Sequence, residues 1–178
     1  MDLSKLELLL REASERTGHK EFVIAGSLAV LGVLGQRPVP DRMLVSIDVD
    51  CWTPADPGRV FDLNDSLGAG SPFERAHGYY LDPISPQLPT LPAGWDRRVI
   101  RVPMRAGIAA WFLDPNDTAV SKYARGEPRD REWIRAGLQA GLLSGAIIEG
   151  RFRATNFLNA AEASRARRLL AADLARVG

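Results

Sequence analysis

The sequence has almost no residues that could form disulfides or a conventional zinc site. Its 178 residues include one cysteine, Cys51, and two histidines. A single thiol cannot form an internal disulfide, and these three side chains are fewer than the four ligands of the usual structural zinc site. A protein without disulfides suits a reducing compartment, so we expect it to be cytoplasmic.

A long apolar segment is missing as well. The longest mostly apolar stretch, residues 22–35, is interrupted by glycines and is shorter than the ~20 residues that a membrane-spanning helix needs. The first turns contain Asp2, Lys5 and Glu7, a charge pattern unlike that of a signal peptide. We therefore expect no membrane among the partners of this chain.

Neither sign of charge dominates. The 23 Lys and Arg residues stand against 22 Asp and Glu residues, which gives a formal net charge of +1. A protein that binds nucleic acid over a broad surface is usually strongly basic, so any contact with a polyanion must be local here. The length suits one domain, or one domain with a small helical extension.

The most informative segment that is present contains two acidic residues. Residues 44–50 alternate in polarity as a β-strand does, so Asp48 and Asp50 project from the same face. Two adjacent carboxylates repel each other unless a cation or a cluster of hydrogen bonds neutralises them. The spacing favours a site for a divalent metal, Mg²⁺ or Mn²⁺. The alternative is a strand end with two solvated acids.

A second informative feature lies upstream, where an apolar strand passes directly into a helix. Residues 21–25 predict the strand, residues 28–34 predict the helix, and Gly26 and Ser27 form the turn between them. Free backbone N–H groups at a helix N-terminus, next to a glycine and a hydroxyl, suit a phosphate. Ser27 is equally suited to cap that helix, and the two roles are compatible.

The order of the predicted elements favours an α/β (α+β) fold, with a small mixed sheet flanked by helices. The predicted strands are residues 21–25, 44–50, 78–82, 99–103 and 109–113. The predicted helices are residues 4–16, 28–34, 59–67, 118–125, 130–143 and 154–177. Ser4 and Glu7 have the spacing of a capping box, and residues 68–71 predict a flexible linker. We expect residues 1–113 to form the core and residues 114–178 a helical portion packed on it.

Taken in chain order, these features resemble a known family. The Gly26-Ser27 turn and the Asp48-x-Asp50 strand are followed by His-Gly-Tyr-Tyr-Leu-Asp (77–82), by residues 91–98, and by residues 117–130 with Lys122. The ordered set covers roughly residues 6–143. It resembles the nucleotidyltransferase superfamily, in particular bacterial nucleotidyltransferase-like proteins related to abortive-infection toxins.

The resemblance implies a third carboxylate on a neighbouring strand, which activates the attacking hydroxyl. Asp82 matches this position, because it ends a strand-like run and falls at the corresponding point in the chain. Asp82 would then share the metal and the catalytic role with Asp48 and Asp50. The alternative is a turn residue, since Asp before Pro is a common start of a turn.

The resemblance also implies that basic residues near the predicted helix 118–125 bind the triphosphate. Lys122 matches the family position, Arg125 lies three residues further on the same helical face, and Arg129 follows in a turn. Asp130 would hold the junction between the two helices. The alternative for the three cations is a solvated basic face.

Two functions from different classes follow. The first is an enzyme that transfers a nucleoside monophosphate from a nucleoside triphosphate to a hydroxyl on a protein or RNA acceptor, with Mg²⁺ or Mn²⁺. The second is an inactive protein of the same fold that binds a cognate partner in a toxin–antitoxin or phage-defence pair, because a shared fold does not guarantee retained activity.

Overall fold

The computed structural model describes residues 1–177. The strands are β1 (Glu21–Ile24), β2 (Asp48–Trp52), β3 (Tyr80–Pro83), β4 (Ile100–Pro103) and β5 (Ala109–Phe112). They form one sheet in the order β3-β2-β1-β5-β4. The pairs β1–β5 and β2–β3 are parallel, whereas β1–β2 and β4–β5 are antiparallel. The predicted small mixed sheet is confirmed.

Helices flank the sheet and make up the C-terminal part of the chain, as predicted. The α-helices are α1 (Leu3–Thr17), α2 (Asn64–Leu67), α3 (Pro72–His77), α4 (Pro115–Arg125), α5 (Pro128–Gln139), α6 (Gly145–Arg153) and α7 (Ala160–Val177). The 3₁₀ helices are Gly26–Val33, Asp41–Met43, Arg59–Leu63, Trp95–Arg97 and Arg105–Gly107. None of the helices within residues 1–177 combines the length and the apolar character that crossing a lipid bilayer requires.

The first helix begins one residue earlier than predicted. Asp2 is its N-cap, and the Asp2 carboxylate accepts a hydrogen bond of 2.9 Å from the backbone N–H of Lys5. The predicted capping box of Ser4 and Glu7 is therefore wrong, because an aspartate two residues upstream performs the same capping role. The helix ends where Gly18 adopts a left-handed conformation, with φ 76°.

The segment after β1 is a 3₁₀ helix, not the predicted α-helix. It begins at Gly26 and runs between two hydrophobic cores. Leu28 and Leu31 pack in the core of the sheet and α1, whereas Val30 packs in the core of the C-terminal helices. A helix with three residues per turn directs successive side chains to different sides, which suits a segment buried on both sides.

The strand that carries the two acids is shifted along the chain. The structure begins β2 at Asp48 and extends it to Trp52, whereas residues 44–47 precede the strand without belonging to it. The predicted linker 68–71 is also more ordered than expected. The Ser71 hydroxyl accepts a hydrogen bond from the Glu74 N–H and caps α3, a helix that the sequence analysis missed.

The C-terminal helices differ from the prediction in their boundaries. The predicted helix 130–143 corresponds to α5, which ends earlier, at Gln139. Helix α6 was not predicted. Gly141, with φ 67°, lies between these helices. Gly145 begins α6, and a Cβ on it would lie 2.6 Å from Leu174. Asp130 lies inside the first turn of α5 and is not its cap. Its carboxylate bonds to basic side chains of α4 instead of to backbone N–H groups.

A buried ion-pair cluster ties the loop before β4 to the C-terminal helices. The Asp117 side chain is fully buried, and Arg98 Nε donates to Asp117 Oδ2 at 2.8 Å. Arg151 Nε lies 3.0 Å from Asp117 Oδ1 as an ion pair. Burial raises the pKa of Asp117, and the hydrogen bond from Arg98 opposes that rise. The cluster fixes the loop against α4 and α6.

Candidate functional site

Three carboxylates meet at one edge of the sheet. Asp48 and Asp50 lie on the same face of β2, and Val49 between them is buried on the other face. Asp82 is paired with Asp50 in the parallel register of β2 and β3, so its side chain leaves the sheet on the same face. Each residue offers an oxygen, and these oxygens lie within 4.8 Å of one another.

The electrostatics of this trio are those of a site that attracts a cation. Burial, followed by the charges of Asp48 and Asp82, raises the pKa of Asp50 to about 6. Burial and the charge of Asp48 likewise raise the pKa of Asp82. Lys122 and Arg125 oppose the rise at Asp50 only in part. Three converging carboxylates are the donor set that Mg²⁺ and Mn²⁺ accept, so the residues present fit such an ion.

The turn after β1 is in direct contact with the trio. Gly26 has φ 59°, and a Cβ on this residue would lie 1.7 Å from Asp50 Oδ2. The Ala25 N–H donates to the backbone oxygen of Asp50 at 2.9 Å. Only a glycine permits both this backbone conformation and this approach to the carboxylate. The turn and the acidic strand are therefore held as one unit.

Ser27 is held by two residues of the C-terminal helices. Lys122 Nζ donates to Ser27 Oγ at 3.0 Å, and Trp133 Nε1 donates to the Ser27 backbone oxygen at 3.1 Å. Lys122 is only 3% exposed, and burial lowers its pKa against the effect of Asp130. The side chain that the sequence analysis assigned to a triphosphate is thus buried and bonded to the predicted phosphate turn.

Asp130 connects the predicted basic residues. Its carboxylate accepts hydrogen bonds from Lys122 at 2.8 Å and from Arg125 at 2.7 Å through both Nε and Nη2. The Arg125 side chain remains 51% exposed. Arg129 is exposed and has no ion-pair partner within residues 1–177. Arg125 and Arg129 therefore supply the accessible positive charge of this region.

One contact of the trio was missed by the sequence analysis. The Ser46 hydroxyl donates a hydrogen bond to Asp48 Oδ1 and orients that carboxylate. The predicted strand 44–50 would place Ser46 on the same face as Asp48. In the structure β2 begins only at Asp48, so the contact depends on the path of residues 44–47 and not on strand pairing.

Two adjacent cavities contain all the predicted site residues. The first, which we call the acidic cleft, has a volume of about 480 Å³ and is lined by Ser27, Asp48, Asp50, Asp82, Arg125 and Arg129. The second, which we call the side cavity, has a volume of about 280 Å³ and is lined by Gly26, Asp50, Lys122 and Arg125 among others. The two cavities adjoin each other, because Asp50, Ile84, Leu88 and Arg125 line both.

The small mixed sheet, the three carboxylates and the Gly-Ser turn are the features by which the chain resembles nucleotidyltransferases. The model of a family described as "Nucleotidyltransferase of unknown function (DUF6036)" matches residues 2–175, and the chain belongs to that family. No curated protein and no solved structure matches the chain. The suggested relation to abortive-infection proteins stays a prediction.

Proposed function

We propose that this chain is a metal-dependent nucleotidyltransferase, which moves a nucleoside monophosphate from a nucleoside triphosphate to a hydroxyl of a protein or RNA. One observation carries the proposal: Asp48, Asp50 and Asp82 bring carboxylate oxygens within 4.8 Å of one another. They do so directly beside the Gly26-Ser27 turn. Metal ligands and a phosphate site then share one cleft.

The transfer is an in-line displacement at the α-phosphorus. The oxygen of the acceptor hydroxyl bonds to that phosphorus, the bond to the oxygen bridging the β-phosphate breaks, and pyrophosphate leaves. Asp82 accepts the hydroxyl proton, and burial, followed by the charge of Asp48, raises its pKa, which makes this carboxylate a stronger base. Bound Mg²⁺ or Mn²⁺ would neutralise the carboxylates and the charge that develops on the phosphate oxygens.

The phosphates are held on the basic side of the cleft. Ser27 offers its hydroxyl, and the start of the 3₁₀ helix Gly26–Val33 offers backbone N–H groups. Arg125 and Arg129 line the same cleft and supply accessible positive charge. Lys122 acts mainly by fixing Ser27, to which it donates a hydrogen bond. Such transfers depend on positioning and electrostatics more than on covalent chemistry by the protein.

The test is transfer of label from the α-phosphate of each nucleoside triphosphate into total cell extract, with Mg²⁺ or Mn²⁺. We expect label in one class of acceptor, protein or RNA, together with release of pyrophosphate. Asp48→Asn and Asp50→Asn should abolish transfer. Asp62→Asn is the matched control, because Asp62 is an exposed acid that pairs with Arg59. Equal transfer by all three variants would disprove the proposal.

The alternative is an inactive member of the fold that binds a cognate toxin or antitoxin protein. The position of Asp82 favours the enzyme, because the third carboxylate is paired with Asp50 in the sheet and is not turned away. A chain that binds no nucleotide with metal, and in which Asp48→Asn changes nothing, would favour the binding role instead.

A further inference from the structure

Three exposed aliphatic side chains line the acidic cleft. They are Val45, Ile47 and Leu88, which are 63%, 50% and 69% exposed. In the described part of the chain only seven large hydrophobic side chains are exposed, so nearly half of them line this one cleft. Single exposed apolar residues are normal, whereas several at one place mark a surface that contacts another molecule. A molecule that reaches the three carboxylates would cover these side chains.

The backbone holds two of these side chains beside the metal site. Val45 and Ile47 belong to the segment that precedes Asp48 and lies outside the sheet. Between them, the Ser46 hydroxyl donates to Asp48. The Ile47 backbone oxygen accepts from the Tyr80 N–H at 3.0 Å. The segment is therefore fixed to β2 and β3 through its polar groups, while its two apolar side chains stay exposed.

The cleft offers little that would hold an RNA acceptor. Proteins hold single-stranded RNA with cations that contact its phosphates and with aromatic rings that stack on its bases. Trp133 is the one aromatic side chain among the described residues that line the cleft, and it is only 3% exposed. The proposed function already uses Arg125 and Arg129 for the triphosphate. The third arginine in the lining, Arg42, forms an ion pair with Glu132.

A further cavity, which we call the edge cavity, shares Asp82 with the acidic cleft. It has a volume of about 330 Å³ and is lined by α2, by the turn between α2 and α3, and by Asp82 of the edge strand β3. None of the described residues that line it is basic, and Asp65 is exposed there. Glu74 and Arg75 both bond to the backbone of Gly70 in this turn, and their opposite charges offset each other. The charge next to Asp82 therefore favours a basic side chain over a phosphate.

We propose that the acceptor is a protein, which packs apolar side chains on Val45, Ile47 and Leu88 and presents a serine, threonine or tyrosine hydroxyl. A basic residue near that hydroxyl pairs with Asp65. This inference rests on the proposed function, because the same three carboxylates serve the transfer. The side-chain oxygen of the acceptor bonds to the α-phosphorus, its proton passes to Asp82, and pyrophosphate leaves. The product is a protein that carries a nucleoside monophosphate in a phosphodiester linkage.

Two fractions of one cell extract serve as probes: protein freed of nucleic acid, and RNA freed of protein. Each is incubated with Mg²⁺, the enzyme and a nucleoside triphosphate labelled at the α-phosphate, and we expect label in the protein fraction. Ile47→Ser and Leu88→Ser should each slow this labelling by about 5- to 10-fold, because each removes one aliphatic contact. Both variants should bind the nucleoside triphosphate, by calorimetry, within about 2-fold of the wild type.

Matched controls are available on the C-terminal helices. Ile147 is 46% exposed and Leu158 is 85% exposed, and neither lines the acidic cleft or the side cavity. Ile147→Ser and Leu158→Ser should therefore label protein as the wild type does. Asp65→Lys reverses the charge in the edge cavity and should slow protein labelling by about 3-fold or more. Glu149→Lys, at an exposed position of α6, should leave it unchanged.

The outcomes separate this inference from the proposed function. If the wild type binds no nucleoside triphosphate in Mg²⁺, or labels neither fraction, the proposed function fails and this inference fails with it. Label in the RNA fraction would identify RNA as the acceptor, so the function would stand and the inference would be overturned.

The variants test the surface itself. Protein labelling by Ile47→Ser and Leu88→Ser at the rate of their controls would overturn the inference. A loss of nucleoside triphosphate affinity that matches the loss of labelling would assign these side chains to the nucleotide and would overturn it as well. Unchanged labelling by Asp65→Lys would disprove the pairing of Asp65 with a basic residue of the acceptor.

Discussion

Asp82 stands directly opposite Asp50 in the parallel pairing of β2 and β3. Two acids therefore occupy neighbouring positions on one face of a sheet, with Asp48 two residues away on the same strand. Apolar burial on the opposite face offsets the cost of this repulsion, because Val49, Cys51 and Leu81 are fully buried there. The strands hold the acids together against their repulsion, and removing one acid tests this directly.

Asp50→Asn should stabilise the protein without metal and remove its response to metal. The substitution keeps the shape of the side chain and relieves repulsion, which we expect to raise the free energy of unfolding by up to about 1 kcal/mol. Wild-type protein should gain about 3 kcal/mol when Mg²⁺ is present at about one hundred times its dissociation constant. Thermal unfolding with a chelator and with Mg²⁺ measures both quantities.

Asp62→Asn is the control for this pair of measurements and should respond to Mg²⁺ as the wild type does. A lower melting temperature of both Asp48→Asn and Asp50→Asn in the presence of chelator would contradict the prediction. It would mean that Asp48 and Asp50 have a structural role and stabilise the fold without metal.

Local patterns predicted much of this fold and the centre of its site. Alternation in the sequence indicated that Asp48 and Asp50 share a face, and the Gly26-Ser27 turn ended an apolar strand as expected. The helix α4 lies between Asp114, whose carboxylate accepts from two backbone N–H groups, and Gly126, whose φ is 77°. These features depend on residues a few positions apart, for which the physical rules are local.

Contacts between distant residues were not predictable in the same way. Lys122 and Ser27 are 95 residues apart in the chain, and no periodicity reports that they touch. The sequence analysis therefore assigned the Lys122 side chain to direct contact with a triphosphate, whereas the structure shows this side chain buried.

Lys122→Met should affect both stability and nucleotide binding. Lys122 is nearly fully buried and bonded to Asp130 and Ser27, so losing its charge should cost about 2 kcal/mol. Arg125 keeps two hydrogen bonds to Asp130, which limits the loss. The Ser27 hydroxyl loses its hydrogen bond from Lys122. We therefore expect binding of the nucleoside triphosphate to weaken more than binding of the monophosphate. Urea unfolding and calorimetry measure the two effects.

Arg129→Met provides the comparison, because Arg129 is exposed and has no ion-pair partner in the described chain. Its stability should stay within about 0.5 kcal/mol of the wild type, while its affinity for the triphosphate falls. Equal losses of triphosphate and monophosphate binding in Lys122→Met would remove Lys122 from the phosphate side of the site.

Asp130 should make stability depend on pH in the acidic range. Burial opposes its ionisation, but hydrogen bonds from Arg125 and Lys122 outweigh burial and lower the pKa of Asp130. A carboxyl with a lowered pKa stabilises the fold above its unfolded pKa of about 4. That contribution is lost as the pH falls through the folded pKa. Asp130→Asn should cost about 3 kcal/mol at neutral pH, and the difference from wild type should shrink below about pH 4.

Urea unfolding of wild type, Asp130→Asn and the exposed-site variant Asp62→Asn across this pH range tests the prediction. Asp62→Asn should follow the wild type closely at every pH. A difference between wild type and Asp130→Asn that stays constant down to the lowest pH would show that Asp130 acts through packing and not through its charge.

Gly26→Ala should disable the site far more than it destabilises the fold. Gly26 and Gly18 are among the glycines with a left-handed backbone, with φ 59° and φ 76° respectively. Alanine at either position should cost about 1–2 kcal/mol from the backbone alone. Only at Gly26 would the new methyl meet a side chain, 1.7 Å from Asp50 Oδ2, whereas nothing lies within 4 Å of a Cβ on Gly18. The Asp50 carboxylate must then move away from Asp48 and Asp82.

We therefore expect Gly26→Ala to lose Mg²⁺-dependent nucleotide binding, and Gly18→Ala to keep it at a similar loss of stability. Calorimetry with nucleoside triphosphate and Mg²⁺ makes the comparison, and wild-type affinity in Gly26→Ala would rule out a role for the turn in holding the carboxylates.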